Sequence, residues 1–131
     1  MTPADLPHLV IGACMNVHSA LGPGLTREAY EQCVAIELRE LEIPFERGKR
    51  LDFEYRGQSL SSAATLDFIV EGSLLLQIYA GEETSALDKQ KMETYLRLSG
   101  IRSGLLVNFN VSVLRKGVQR ITMKRLESGP Q

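Results

Sequence analysis

The chain has 131 residues, a length that fits one domain whose core buries roughly two thirds of the unfolded surface. With 44% hydrophobic and 24% charged residues it has an ordinary globular composition, which excludes a disordered or low-complexity chain. Fifteen Lys and Arg against sixteen Asp and Glu leave a net charge of -1, so any nucleic-acid surface has to be local.

Met1 to Pro7 carries neither a basic n-region nor an apolar h-region, and no apolar run approaches the ~20 residues of a membrane span. The expectation is a cytoplasmic chain with no membrane partner. Cys14 and Cys33 lie in apolar helical patterns and are too few for a disulfide framework or a structural zinc site. Without a signal peptide, the sequon Asn110-Val111-Ser112 is expected to be accidental.

From His8 to Leu21, the residues Ile11, Cys14, Val17 and Leu21 recur at helical steps, and Gly22-Pro23-Gly24 breaks the pattern. A second helix is predicted from about Thr26, its N-cap, to Leu41, with Pro44 beyond its end. Phe45 to Tyr55 then reads as an extended segment interrupted at Gly48 and followed by the turn Arg56-Gly57-Gln58. Leu66 to Val70 and Leu74 to Ala80 make a hairpin around Glu71-Gly72-Ser73, and Leu74-Leu75-Leu76 is apolar enough for the centre of a sheet.

Helical spacing returns from Ser85 to Ser99 and ends at Gly100 as a C′ residue. Gly104 to Phe109 is an apolar strand, and Val118 to Met123 a more polar one after the Lys116-Gly117 turn. The tail from Leu126 to Gln131 is expected to fray. Residues 1–131 therefore read as a single domain of order α-α-β-β-β-α-β-β, an α/β fold with a mixed sheet flanked by helices.

Three ordered segments carry a resemblance across nearly the whole chain. Asn16 to Leu25 with Tyr30-Glu31, Thr94 to Gly100, and Gly104 to Asn110 resemble segments of the GxxExxY protein family. That family is placed in the PD-(D/E)XK superfamily, so the resemblance implies a restriction-endonuclease-like fold and metal-dependent nuclease chemistry. In the superfamily an Asp on one strand faces a Glu-x-Lys on its hairpin partner. Two residues apart on a strand puts the acid and the lysine on one face. The carboxylates hold Mg²⁺, which polarises the phosphate and activates water, while the lysine offsets developing charge.

Matched residue by residue, Asp67 keeps the family's Asp, but Glu-x-Lys falls on Gln77-Ile78-Tyr79. The family's helix Gln falls on Lys91, and the Glu of its name on Arg27; Tyr30 and Glu31 match. Glu28 points about 100° away from Arg27 on the helix. A lone carboxylate beside an amide is a weak cage for a hard divalent ion. Arg27 near Asp67 favours an ion pair in place of the metal and is expected to lower the Asp pKa by Coulomb attraction.

The leading expectation is a degenerate, catalytically inactive nuclease-fold domain with a binding or assembly role, without a cofactor and open to homo-oligomerisation. One rival is a Mg²⁺- or Mn²⁺-dependent nuclease in which Asp67 binds the ion, Lys91 replaces the strand lysine, and Glu31, Glu82 or Glu83 supplies a second acid. Lys91 has a plain reading as a solvated helix face beside Asp88 and Lys89. His18 either lines the pocket as a proton shuttle or is a hydrogen-bonded structural residue. A third reading is a nucleic-acid-binding module without catalysis, using Arg120 and Lys124 on the last strand, within a cluster that includes Arg115, Lys116 and Arg125. The plain reading of that strand is an edge guarded by charge.

Overall fold

The computed structural model describes residues 5–82 and 84–123. Glu83, Lys124, Arg125 and the tail from Leu126 to Gln131 lie outside them. The elements are α1 (Leu6–Leu21), α2 (Arg27–Glu40), β1 (Phe45–Tyr55), β2 (Gln58–Val70), β3 (Leu74–Tyr79), α3 (Ala86–Ser99), β4 (Ser103–Asn108) and β5 (Val118–Thr122), with a short 3₁₀ turn at Leu114–Gly117. They follow the expected order and form the restriction-endonuclease-like α/β fold.

The sheet runs β1-β2-β3-β4-β5. Only β3 and β4 pair in parallel, which is why a helix, α3, connects them. Central position explains the composition of these two strands: Leu74 to Ile78 and Gly104 to Asn108 are buried throughout. Helices α1 and α2 cover one face, where Val10, Val17, Tyr30, Leu38, Phe68 and Phe109 form the larger core. On the other face α3 contributes Met92 and Leu96 to a smaller core with Leu51, Leu66, Leu75 and Ile121. No described helix is long and apolar enough to cross a membrane.

Local chemistry sets the boundaries. The Thr26 side chain accepts from the Ala29 N–H, and Ser85 forms a capping box with Asp88 at the start of α3. Gly100 ends α3 in the left-handed conformation. Helix α1 begins at Leu6, two residues before the expected His8, because Pro7 suits a first helical turn and Leu6 is itself core. The larger difference is β2. Its expected start was Leu66, but it extends back to Gln58 because Arg56-Gly57, both at positive φ, turn β1 directly onto it.

Gly117 shows how tightly the last crossing is packed. A Cβ there would lie 2.1 Å from the Asn108 carbonyl oxygen, a backbone atom that cannot swing aside. Gly117→Ala is expected to lower stability by about 1–3 kcal/mol or more in urea unfolding. Gly12→Ala, in a helix interior with nothing within 4 Å of the new Cβ, is expected to raise it by about 1 kcal/mol.

Candidate functional site

The site grows from a fault in the sheet. β2 and β3 pair from Val70↔Leu74 to Phe68↔Leu76, and there the regular ladder stops. Side chains take over at the next position. The Asp67 N–H donates to Gln77 Oε1 at 2.6 Å, and the Ile78 N–H donates to Asp67 Oδ2 at 2.8 Å. Gln77 Nε2 donates to the Thr65 carbonyl at 3.3 Å, so both ends of its amide are used.

On the other flank of β2, Gly48 has φ +67° and drops out of the β1 pairing between Arg47↔Phe68 and Lys49↔Leu66. Strand alternation breaks at the same place. Leu66 packs on the α3 side, whereas Phe68, two residues on, packs on the α1–α2 side. Asp67 sits at that break and turns its carboxylate toward α2.

There it meets the first turn of the helix. Arg27 and Glu31 are four residues apart and share a face. The Arg27 guanidinium spans two acids, with Nη1 3.1 Å from Asp67 Oδ2 and Nη2 2.5 Å from Glu31 Oε1. Glu31 Oε2 accepts from Arg47 Nη2 at 3.1 Å and Nε at 3.3 Å, and Arg47 lies 5.6 Å over the Phe68 ring. Charges therefore alternate along Asp67, Arg27, Glu31 and Arg47, and the chain of four is neutral. Arg27 Nη1 is sealed from solvent without an aligned hydrogen-bond acceptor, so its contact with Asp67 is an ion pair set by charge rather than by hydrogen-bond geometry.

The expected Coulomb pull of Arg27 on Asp67 is present, but burial outweighs it. Asp67 has a raised pKa, not a lowered one: burial of the carboxyl outweighs the Ile78 N–H and the Arg27 charge, which both pull it down. Desolvation wins because Asp67 is only 9% exposed. Arg27 is itself depressed by burial, but Asp67 and Glu31 more than offset this and hold it above its ordinary value.

The remaining family positions face elsewhere. Ile78 packs with the α1–α2 core, so Gln77 and Tyr79 on either side of it face α3. The Tyr79 hydroxyl donates to Asp88 Oδ1 at 3.0 Å, and the phenol is pushed up to about 12, by burial first and Asp88 second. Asp88 is held below the usual carboxylate range, by the Ser85 N–H before its other partners. Lys91 is exposed on α3; the acid that feels its charge is Asp88, and it forms no ion pair with Asp67. Between Gln77, Tyr79, Lys91 and Met92 there remains a cavity of only about 10 Å³, the space of at most a single water.

His18 lies outside this group. It is buried, its Nε2 is 2.8 Å from the Val111 carbonyl, and it borders a separate cavity with Met15, Pro23 and Leu114. Tyr30 is structural in the same sense: its hydroxyl donates to the Gly22 carbonyl at 2.5 Å, accepts from the Leu25 N–H, and its ring stacks on Phe109. Glu82 enters through its backbone, as an acceptor for the Asn108 side chain. Arg120 is exposed on β5, and Lys124 lies outside the described residues.

Sequence reasoning did not find Arg47 or Thr65. Arg47 stands in a charged run, Glu46 to Arg50, where only the adjacent Gly48 marks it. Thr65 contributes a backbone carbonyl, which leaves no trace in side-chain type.

The divalent cation that the resemblance implies does not fit these donors. A hard ion takes several carboxylate or carbonyl oxygens. Here Asp67 Oδ2 serves Ile78 and Arg27, Gln77 Oε1 serves a backbone N–H, and a guanidinium already supplies the positive charge. Among the described residues no three His, Cys, Asp or Glu side chains gather as a metal-holding group. In a comparison with known families, the model described as the PD-(D/E)XK nuclease superfamily matches residues 4–121. No curated protein and no solved structure matches the chain.

Arg27→Ala leaves Asp67 and Glu31 without their shared cation. Because the Arg27 side chain is 35% exposed, the expected loss in urea unfolding is about 1–3 kcal/mol rather than the roughly 3–5 kcal/mol of a fully buried pair. A pH series tests the Asp67 reading. A carboxyl whose folded pKa lies above its unfolded value stabilises most at low pH and loses that contribution as pH rises through the folded value. The stability of Asp67→Asn relative to wild type should therefore rise as the pH is raised above the ordinary carboxylate range. A difference that falls as pH rises would mean that Arg27 outweighs burial.

Proposed function

The chain belongs to the PD-(D/E)XK nuclease superfamily, and from that premise we propose that it is a catalytically inactive member that works by binding or assembly. Its motif residues favour placement near the GxxExxY proteins, with a degenerate site. The observation that carries this reading is the Arg27 guanidinium lying against Asp67, the one superfamily acid that this chain keeps.

Metal-assisted cleavage of a phosphodiester needs a cation to polarise the phosphate and to make hydroxide available near neutral pH. It also needs an amine or equivalent to offset charge as the bond breaks. At the matching positions Gln77 is a neutral amide tied to β2, and Tyr79 is a phenol tied to Asp88 and pushed up to about 12. A phenol with that pKa stays neutral near pH 7 and does not supply the cation a lysine would. The migrated-site reading requires Lys91 beside Asp67, but the lysine's acidic neighbour is Asp88.

Cleavage assays on single- and double-stranded DNA and on RNA, with Mg²⁺ or Mn²⁺, test the proposal directly. The expected result is no cleavage above background by wild type or by Asp67→Ala. Metal-dependent cleavage by wild type that disappears in Asp67→Ala would overturn it.

A further inference from the structure

β1 and β2 run on as a two-stranded ribbon beyond the rest of the sheet. β3 accompanies β2 only along Phe68 to Val70, whereas the β1–β2 pairs continue out to Tyr55↔Gln58. No residue from Asp52 to Ser62 is buried. Two strands without a third, or without a covered face, are marginal in water.

One face of this ribbon is mostly apolar, with Gln58 opposite Tyr55 as its polar member. Leu51, Phe53 and Tyr55 alternate onto it from β1, and Leu60 stands directly opposite Phe53. Leu51 is buried in the α3-side core, but Tyr55 is 63% and Leu60 44% exposed. At the base of the same face lies an open groove of about 450 Å³ whose apolar floor is Leu51, Leu66, Ile69, Leu98 and Ile101. Protruding apolar tip and receiving apolar groove thus occur on one molecule, next to each other.

The groove's rim indicates what fills it. It carries Glu46 and Asp52 against Lys49 and Arg50, equal numbers of each sign. A polyanion such as nucleic acid would meet both acids, and a strongly charged peptide would leave half the rim mismatched. A copy of the same surface carries both signs as well, so an acid of one rim can face a base of the other, and the two-fold axis then repeats that pair as j with i.

We infer that a second copy of this chain docks here, the ribbon tip of each protomer, Tyr55 and Leu60, entering the groove of the other. The inference names the partner for the assembly role proposed above and rests on that reading, but its test is separate. Cleavage activity would overturn the inactive reading without touching a dimer; a monomer would overturn the dimer and leave the inactive site standing.

Sedimentation equilibrium of the full chain, from micromolar to hundreds of micromolar, is the experiment. Wild type should dimerise reversibly, and Leu60→Asp should weaken the dimer at least tenfold with an unchanged circular dichroism spectrum. Tyr55→Ser, at the ribbon's exposed tip, should weaken it independently, which guards against a folding defect in the first variant. Reversing the rim acids in one sample (Glu46→Lys with Asp52→Lys) and the rim bases in another (Lys49→Glu with Arg50→Glu) should weaken each homodimer, and mixing the two should restore association. A wild-type monomer throughout, or a dimer indifferent to Leu60→Asp and Tyr55→Ser, would overturn the inference.

Discussion

The Arg27 guanidinium, held between the carboxylates of Asp67 and Glu31, is the contact on which the rest of the site depends. Both acids are buried to within a tenth of full exposure, Asp67 at 9% and Glu31 at 8%. A buried carboxylate is costly unless it is paired and hydrogen-bonded. Arg27 serves both, and Arg47 closes the chain on the second Glu31 oxygen. One helix and two strands, α2, β1 and β2, are thereby joined at the point where the ladder between β2 and β3 fails. Burial still dominates at Asp67, whose pKa stays raised despite its partners.

The substituted positions make sense as parts of that joint. A glutamate in place of Gln77 would set a carboxylate oxygen against the Thr65 carbonyl, where Gln77 Nε2 now donates, and would add negative charge beside Asp67. A lysine in place of Tyr79 would lose the ring that lies beside Met92 and Tyr95. Gln77 and Arg27 thus satisfy buried groups around them that a glutamate at either position would leave without a donor or a cation. The fold keeps the geometry of the superfamily while its polar groups are turned inward, onto one another. This is the pattern expected of a scaffold whose remaining activity lies on its outer surfaces, such as the exposed β1–β2 ribbon.

Much of this could be read in the residues. The apolar runs at Leu74 and Gly104 announce central strands, Thr26 and Gly100 mark helix ends, and Arg27 is the evident partner for Asp67 once the two are matched to their motifs. What stayed hidden depends on pairing and dielectric rather than on residue type. Gln58 to Thr65 is polar and lacks alternation, so only the Arg56-Gly57 turn and the pairing with β1 make it a strand. Arg47 becomes a site residue because a break at Gly48 turns the adjacent pairing. The direction of the Asp67 shift needs the depth of burial, which no motif contains. His18 falls outside the pocket because its helix face meets the loop at Val111 rather than the sheet junction.

In the proposed function Arg27 occupies the place of a metal ion beside Asp67. The most direct test is a Mn²⁺ titration of isotope-labelled protein, followed by paramagnetic broadening of the backbone amides. No saturable broadening is expected at Asp67 and Ile78 in wild type, and it should appear there only after Arg27→Gln removes the internal cation. Stoichiometric broadening centred on Asp67 in wild type, abolished by Asp67→Asn, would contradict that reading.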